Sequence, residues 1–422
     1  MQKLMCGLVL GLGGLIANPW TARAADGGSW AVTPADPLLR QFVQAVVEAN
    51  PRVQAARAAL EASGSYRDAA SRPLYNPELD VTSERAHEAR YTLGVGYTMD
   101  WAGKRKARTA VAESERMVAE AEYLAARRAV TVELLDGLAR HQTSGERDSL
   151  AGSRRRLMDA FATLAQRRFD TGDLSQVELD LARLAAMEAR IQKATAGAAL
   201  AEVRQAVRSL APDSPVSQWP SLPGSLPALS EGTDPRSLVT ALPEVLAARR
   251  QVASADALVE LRRRERRPDP TLSVAGGKEA GDLLTVVEFT IPLPVLNRFK
   301  DEVSAAAAER SQAQQIADDV SRRAHARLIS AMERYNLSRG AWEDWEVTGQ
   351  TSLTRQTEQL QKLWEADDLS TTDYLVQLRQ TLDVQESALD LREALWRAWL
   401  EWLSASGQID AWLGRGASRT ME

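Results

Sequence analysis

The chain has 422 residues, of which 5% are aromatic and 26% charged, with a formal net charge of −5. So few aromatics, with abundant alanine, suit long packed helices better than a large globular core, and the acidic balance argues against nucleic acid as a partner. Cys6 is the only cysteine, which excludes intrachain disulfides and thiolate metal clusters.

Residues 1–24 read as an export signal. Lys3 precedes an apolar run from Leu4 to Ala17, and Ala22-Arg23-Ala24 supplies a small-x-small cleavage site. That run is shorter than the roughly 20 residues a helix needs to cross a bilayer. Cys6 precedes most of the run rather than following it, so no lipoprotein is expected and the cleaved chain has no cysteine. No later segment is apolar enough for a transmembrane helix. For an exported, bacterial-looking chain this leaves a periplasmic protein or an outer-membrane barrel.

A first repeat spans 25–210. It reads as a short helix near 38–71, a strand pair over 78–101, a long helix over 104–171 and a return helix over 175–210. No proline falls between Pro77 and Pro212, whereas seven fall from Pro212 to Pro243, marking 211–240 as a linker. A second repeat, 241–406, follows the same order: short helix near 238–266, strand pair 270–293, long helix 300–367, return helix 370–404. A tail over 407–422 closes the chain.

The copies align through four markers in one order. NPRVQAARAAL (Asn50 to Leu60) answers LPEVLAARRQV (Leu242 to Val252), and RPLYNPELDV (Arg72 to Val81) answers RPDPTLSV (Arg267 to Val274). GVGYTMDW (Gly94 to Trp101) answers VVEFTIPL (Val286 to Leu293). RFDTGDLSQVELDLAR (Arg168 to Arg183) answers LWEADDLSTTDYLVQLR (Leu363 to Arg379). This is a tandem duplication.

Within the strand pairs apolar and small or polar residues alternate. Leu79, Val81 and Ser83 share one face; Tyr91, Leu93, Val95, Tyr97 and Met99 share another, separated by Thr92, Gly94, Gly96 and Thr98. In the second copy Val287, Phe289 and Ile291 alternate with Val286, Glu288 and Thr290. The pattern suits membrane-barrel strands of roughly 9–11 residues, and equally suits two solvent-facing hairpins. The long helices, at 1.5 Å per residue, would each extend about 100 Å. Their apolar positions step as in a coiled-coil seam. With the shorter helices stacked end to end, each chain supplies four helical columns.

Each long helix breaks at a turn. Gly172 suits a helix C-terminus, Ser175 and Ser370 suit the N-caps that follow, and Glu178 and Asp373 hold the third position of a capping box. The interruption is therefore a hairpin, far from the strands. Four strands cannot close a barrel, and in lipid every backbone polar group must be paired. If the strands enter a membrane, one chain is not the unit; a homotrimer would supply a 12-stranded barrel in outer-membrane lipid over a 12-column α-barrel.

Here the residues resemble a known family, the TolC-like outer-membrane efflux channels, over nearly the whole chain after residue 24. The resemblance is carried by the duplicated NPxVxAAR-like helix start, RPxxNPELxV leading into the first strand, WAGKRKAR (Trp101 to Arg108) and IPLPVLNR (Ile291 to Arg298). The last two look most like the CzcC-like branch serving heavy-metal cation efflux. One departure stands out: relatives often continue IPLPVLNR with an Asn-Gln-Gly-like step, where this chain has Phe299-Lys300-Asp301.

The resemblance implies a mainly α protomer with a small antiparallel β part, a trimer, a periplasmic adaptor and an inner-membrane proton-driven pump of the RND type. No phosphate loop, nucleophile elbow or dinucleotide fingerprint is found, so no cofactor and no enzyme activity are expected. The resemblance also places Gly172, Asp173, Glu178, Asp180, Asp367, Asp368 and Asp373 at a periplasmic tip, where acidic residues line an aperture; capping is the compatible alternative for Glu178 and Asp373. Tyr91, Tyr97, Trp101 and Phe289 are candidates for an interfacial aromatic girdle, or for burial in a soluble sheet. Trp396, Trp399 and Trp402, with Trp342, Trp345 and Trp412, read as core packing. His87, His141 and His325 lack ligand-spaced partners, and no catalytic motif is present. The rival readings are a channel for drugs, other organic molecules or secreted protein, and a periplasmic coiled-coil adaptor or scaffold.

Overall fold

The computed structural model describes residues 34–85, 89–229, 235–366 and 368–414. The expected export signal, His87 and Asp367 lie outside the described residues.

Prolines and their preceding residues divide the short helices. The single helix expected over 38–71 is instead two, α1 (Pro37–Ala49) and α2 (Pro51–Ser71). Pro51 has no amide proton to continue α1, and Asn50 turns extended, its Oδ1 accepting from the Arg52 amide at 2.9 Å. In the second copy α5 (Pro235–Thr240) and α6 (Pro243–Glu265) divide likewise at Pro243.

The strands are β1 (Glu78–Arg85), β2 (Ala89–Thr98), β3 (Thr271–Glu279) and β4 (Asp282–Thr290). They form one antiparallel sheet in the order β1-β2-β3-β4. Pairing of β2 with β3 joins the two repeats, with Val95 opposite Val274 and Tyr97 opposite Leu272.

Helix α3 (Lys104–Thr171) runs unbroken for 68 residues, about 100 Å at 1.5 Å rise. The upper part of α3 packs against α2 and its lower part against α4 (Gln176–Leu210). The second long helix is not uninterrupted. α7 (Lys300–Asp344) widens into one π-helical stretch, Trp345–Gly349, and continues as α8 (Gln350–Glu365). The Trp345 ring folds over Gly349, where an added Cβ would come 2.2 Å from a ring carbon. α9 (Thr371–Ser406) returns beside α7, α8 and α3, and α6 lies between α3 and α7 above it.

Both long helices start from a residue in the left-handed region: Gly103 at φ 68° and Phe299 at φ 52°. Glycine adopts this freely, whereas a bulky side chain is strained there. The Asn297 Oδ1 holds the turn by accepting from the Phe299 amide at 2.9 Å. Phe299→Gly is therefore expected to raise folding stability by about 1 kcal/mol, read as the denaturant midpoint; a decrease would mean that the ring's contacts outweigh the backbone strain.

Two cores hold the helices together. At mid-length the linker, α1 and the short α10 (Ile409–Trp412) wrap α3, α7 and the end of α9. Trp396, Trp399, Trp402 and Trp412 are all buried there, and the Tyr335 hydroxyl donates to the Pro227 carbonyl at 2.5 Å. Trp342 sits at the edge of this core beneath the Arg392 guanidinium, whereas Trp345 belongs to the π-helical stretch and not to the core. The second core lies near the hairpin ends, where Phe161, Trp364 and Tyr374 stack with centroids 4.7–5.4 Å apart.

Candidate functional site

The sheet has two unlike faces. Leu79, Val81, Leu283, Val287 and Phe289 point to one face and are each at least 60% exposed. Across from them the packed face is small and polar over β2 and β3, with Leu284 and Val286 added from β4, and Gly94 and Gly96 are buried. A Cβ on Gly94 would lie 2.6 Å from that of Ala275, and one on Gly96 would lie 2.8 Å from the Ser273 hydroxyl. Crowding on one face with exposure on the other is what a sheet bent toward its small residues produces.

Register shows what else lies on the crowded face. Glu78 stands opposite Gly96, which stands opposite Ser273 and then Glu288; Asp80 stands opposite Gly94. With Glu84, Glu279 and Asp282 this face carries six carboxylates among the described residues, against Arg90 as the one cation among them. None of these acids was singled out from sequence. The alternation of Glu78, Asp80 and Glu84 with Leu79 and Val81 was the available signal.

The four predicted aromatics all lie on the exposed side, from 43% (Tyr97) to 62% (Trp101). Tyr97 and Phe289 flank Leu272 at the helical end of the sheet, and the Trp101 indole donates to the Pro268 carbonyl at 2.7 Å beside them. Tyr91 pairs with Lys278 near the opposite end. Six residues of strand separate Tyr91 from Tyr97, about 20 Å at 3.4 Å per residue.

The far end of the helices holds the predicted tip. Gly172 takes φ 85°, its amide donating to the Phe169 carbonyl at 2.9 Å. Asp173 accepts from the Thr171 hydroxyl at 2.7 Å, and Asp180 from the Gln176 amide at 3.0 Å. The Glu178 carboxylate receives both the Ser175 hydroxyl (2.7 Å) and its backbone amide (3.0 Å), closing a capping box. Those two bonds hold Glu178 below the usual carboxylate range, the hydroxyl contributing most. Asp373 accepts from the Ser370 hydroxyl at 2.7 Å without the second, backbone bond, while the Asp368 amide donates to the Leu363 carbonyl at 2.9 Å. The Phe161, Trp364 and Tyr374 stack sets the two hairpin ends side by side.

This geometry carries a pH dependence. A carboxyl with a lowered folded pKa adds stability above its unfolded value, about 4.3 for glutamate. The Glu178 cap is therefore expected intact at pH 6 and lost as pH falls through the lowered folded value, read as smaller amide protection factors, exchange being taken relative to the intrinsic rate at each pH, in the first turn of α4. Protection factors that do not change over that range would contradict the cap.

The opposite junction, between sheet and helices, centres on Asp269. Its Oδ2 accepts from the Lys104 ammonium and the Tyr75 hydroxyl, each at 2.9 Å. His141 packs edge-on against Trp219 at 4.9 Å, and burial lowers its pKa. Among the described residues no three potential ligands gather as a metal site, and no helix is long and apolar enough to cross a membrane.

Comparison with known proteins fits this architecture. The sequence model described as outer membrane efflux protein matches residues 42–211. The cobalt-zinc-cadmium resistance protein CzcC of Cupriavidus metallidurans is 28% identical over 287 residues, covering 66% of this chain and 68% of that protein. A membrane protein from Pseudomonas aeruginosa superposes with a TM-score of 0.76 at 18% identity, over 90% of this chain and 95% of that one. The CmeC outer membrane channel of Campylobacter jejuni superposes at 0.73 and 15% identity, over 88% and 86% respectively. The duplicated hairpins, the four-stranded sheet and these likenesses agree: the chain is similar to outer membrane efflux proteins over residues 42–211 and has the fold of the CmeC outer membrane channel.

Proposed function

We propose that three copies close into an outer-membrane barrel above a helical tunnel, forming the exit duct of a tripartite efflux system for heavy-metal cations. The observation that carries this reading is the sheet itself: β1 and β4 are edge strands with no second partner among the described residues, and the outward face is apolar. In lipid such edges must be satisfied, and a second copy's edge strand is the matching partner. A periplasmic adaptor and an RND pump complete the path, with the hairpin ends as the docking side.

The acid excess on the crowded face supports cations as cargo. Threefold repetition would line the bore with carboxylates, which concentrate cations and exclude anions. Similarity to the cobalt-zinc-cadmium resistance protein points the same way. In planar bilayers under a salt gradient, the reversal potential is expected to show cation preference, reduced by Asp80→Asn with Glu288→Gln. An anion-selective or indifferent channel would remove the cation assignment. Deleting the gene should sensitise cells to divalent metals; sensitivity to antibiotics alone would favour the organic-cargo reading.

At the tip, Glu178 and Asp373 would come together as six carboxylates around the axis. Replacing both with Ala is expected to raise single-channel conductance. Unchanged conductance would leave them as helix caps only.

A further inference from the structure

An arginine-rich groove lies where the sheet meets the helices. Arg263, Arg266, Arg267 and Arg298 line it with Pro294 and Val303, enclosing about 650 Å³ without a carboxylate in the lining. Arg266 donates to the Arg298 carbonyl at 3.2 Å, and Arg263 reaches Glu260 only at 4.0 Å. The guanidinium groups of Arg267 and Arg298 are exposed and have no hydrogen bond or ion pair among the described residues. Four clustered cations repel one another, so the arrangement is stable only beside an anion or in open water.

The neighbouring segment is apolar and exposed. Leu293, Val295 and Leu296 are 75%, 68% and 103% exposed, directly after the last strand. Phe299 follows in its strained left-handed conformation, with an aromatic ring where the first copy has Gly103. The exposed apolar face of the sheet ends one step away, at Phe289 and Leu272. Apolar strand face, aromatic belt, then arginines beside exposed leucines is the sequence of environments met when leaving a bilayer through its headgroups.

We infer that this groove binds the phosphate of anionic phospholipid headgroups in the leaflet on the helical side, while Leu293, Val295 and Leu296 dip into the acyl boundary. The inference rests on the barrel reading above and adds a lipid preference to it. Arginine matches phosphate by paired N–H donors, and a surface arginine near an anionic membrane favours binding about fivefold. The strain at Phe299 has a use here, as an interfacial ring next to the arginines.

The test uses full-length protein extracted in detergent and incubated with equal phosphatidylglycerol and phosphatidylcholine, followed by native mass spectrometry of retained lipid. Unaltered protein should retain phosphatidylglycerol preferentially. Arg267→Gln with Arg298→Gln should lower that preference by about fivefold per arginine, while single-channel conductance in phosphatidylcholine bilayers stays the same. Retention without lipid preference in unaltered protein would overturn the proposal, with no variant needed. So would full displacement of phosphatidylglycerol by millimolar inorganic phosphate, which would mark a free-phosphate site. A variant that changes reversal potential but not lipid retention would place the arginines on the bore and equally overturn it. Failure to conduct in any lipid would instead sink the barrel reading, a result distinct from all of these.

Discussion

Asp269→Ala is expected to destabilise the protein by about 3–5 kcal/mol, the range for removing one partner of a buried ion pair. The Asp269 side chain is 3% exposed and that of Lys104 12%. Without the carboxylate, the ammonium stays out of water with no countercharge. The loss falls where three chain segments meet: Tyr75 leads into β1, Asp269 into β3, and Lys104 begins α3. Burial, then the bond to Asp269, pushes the Tyr75 hydroxyl up to about 12. A raised folded pKa means the Tyr75 contribution is complete below pH about 10, the free phenol value, and is lost as pH climbs through the folded value. Denaturant unfolding of Asp269→Ala, Lys104→Met and the double variant gives the coupling. The double variant should be less destabilised than Asp269→Ala alone; an unchanged midpoint for Asp269→Ala would mean that other contacts, such as the Trp101 indole to the Pro268 carbonyl, hold the junction unaided.

Trp399→Ala is expected to cost about 3–5 kcal/mol, as large aromatic truncations in cores do. Trp399 is 1% exposed, with ring centroids 4.9 Å from Trp402, 5.0 Å from Tyr335 and 6.3 Å from Trp412. Those neighbours belong to α9, α7 and α10, so one cavity loosens the place where linker and C-terminal end clasp the columns. Its indole nitrogen makes no hydrogen bond, so the loss is one of packing. Trp399→Phe should lose less than half as much, as a smaller ring still fills part of the site. Equal loss for both would point to a role for the indole beyond volume.

Much of this fold was legible because its signals are local. The Lys104–Thr171 helix could be bounded to the residue, since Gly103 and Gly172 bracket a proline-free run. Ser175 and Glu178 announced their capping box by spacing alone. The alternation in β2 was equally plain, as Gly94 and Gly96 separate Leu93, Val95 and Tyr97.

What escaped depends on contacts distant in sequence. The π-helical stretch arises from Trp345 folding over Gly349, which no periodicity announces. The break at Asn50 was hidden because the apolar pattern continues across it. Glu78 and Glu288 share a face only through the pairing of β2 with β3, a register set by the duplication closing on itself. Arg298 joins Arg263 and Arg267 only because β3 and β4 run out and back between them. The tip acids were legible as caps, whereas an aperture belongs to several chains and has no signature in one.

The proposed duct depends on the edges of β1 and β4, unpaired among the described residues, being closed by other copies. Light scattering on protein extracted from outer membranes, corrected for bound detergent, measures that directly. Three chains per particle, with conductance in planar bilayers, is the expected result. A particle of one chain that stays dispersed without detergent would contradict it.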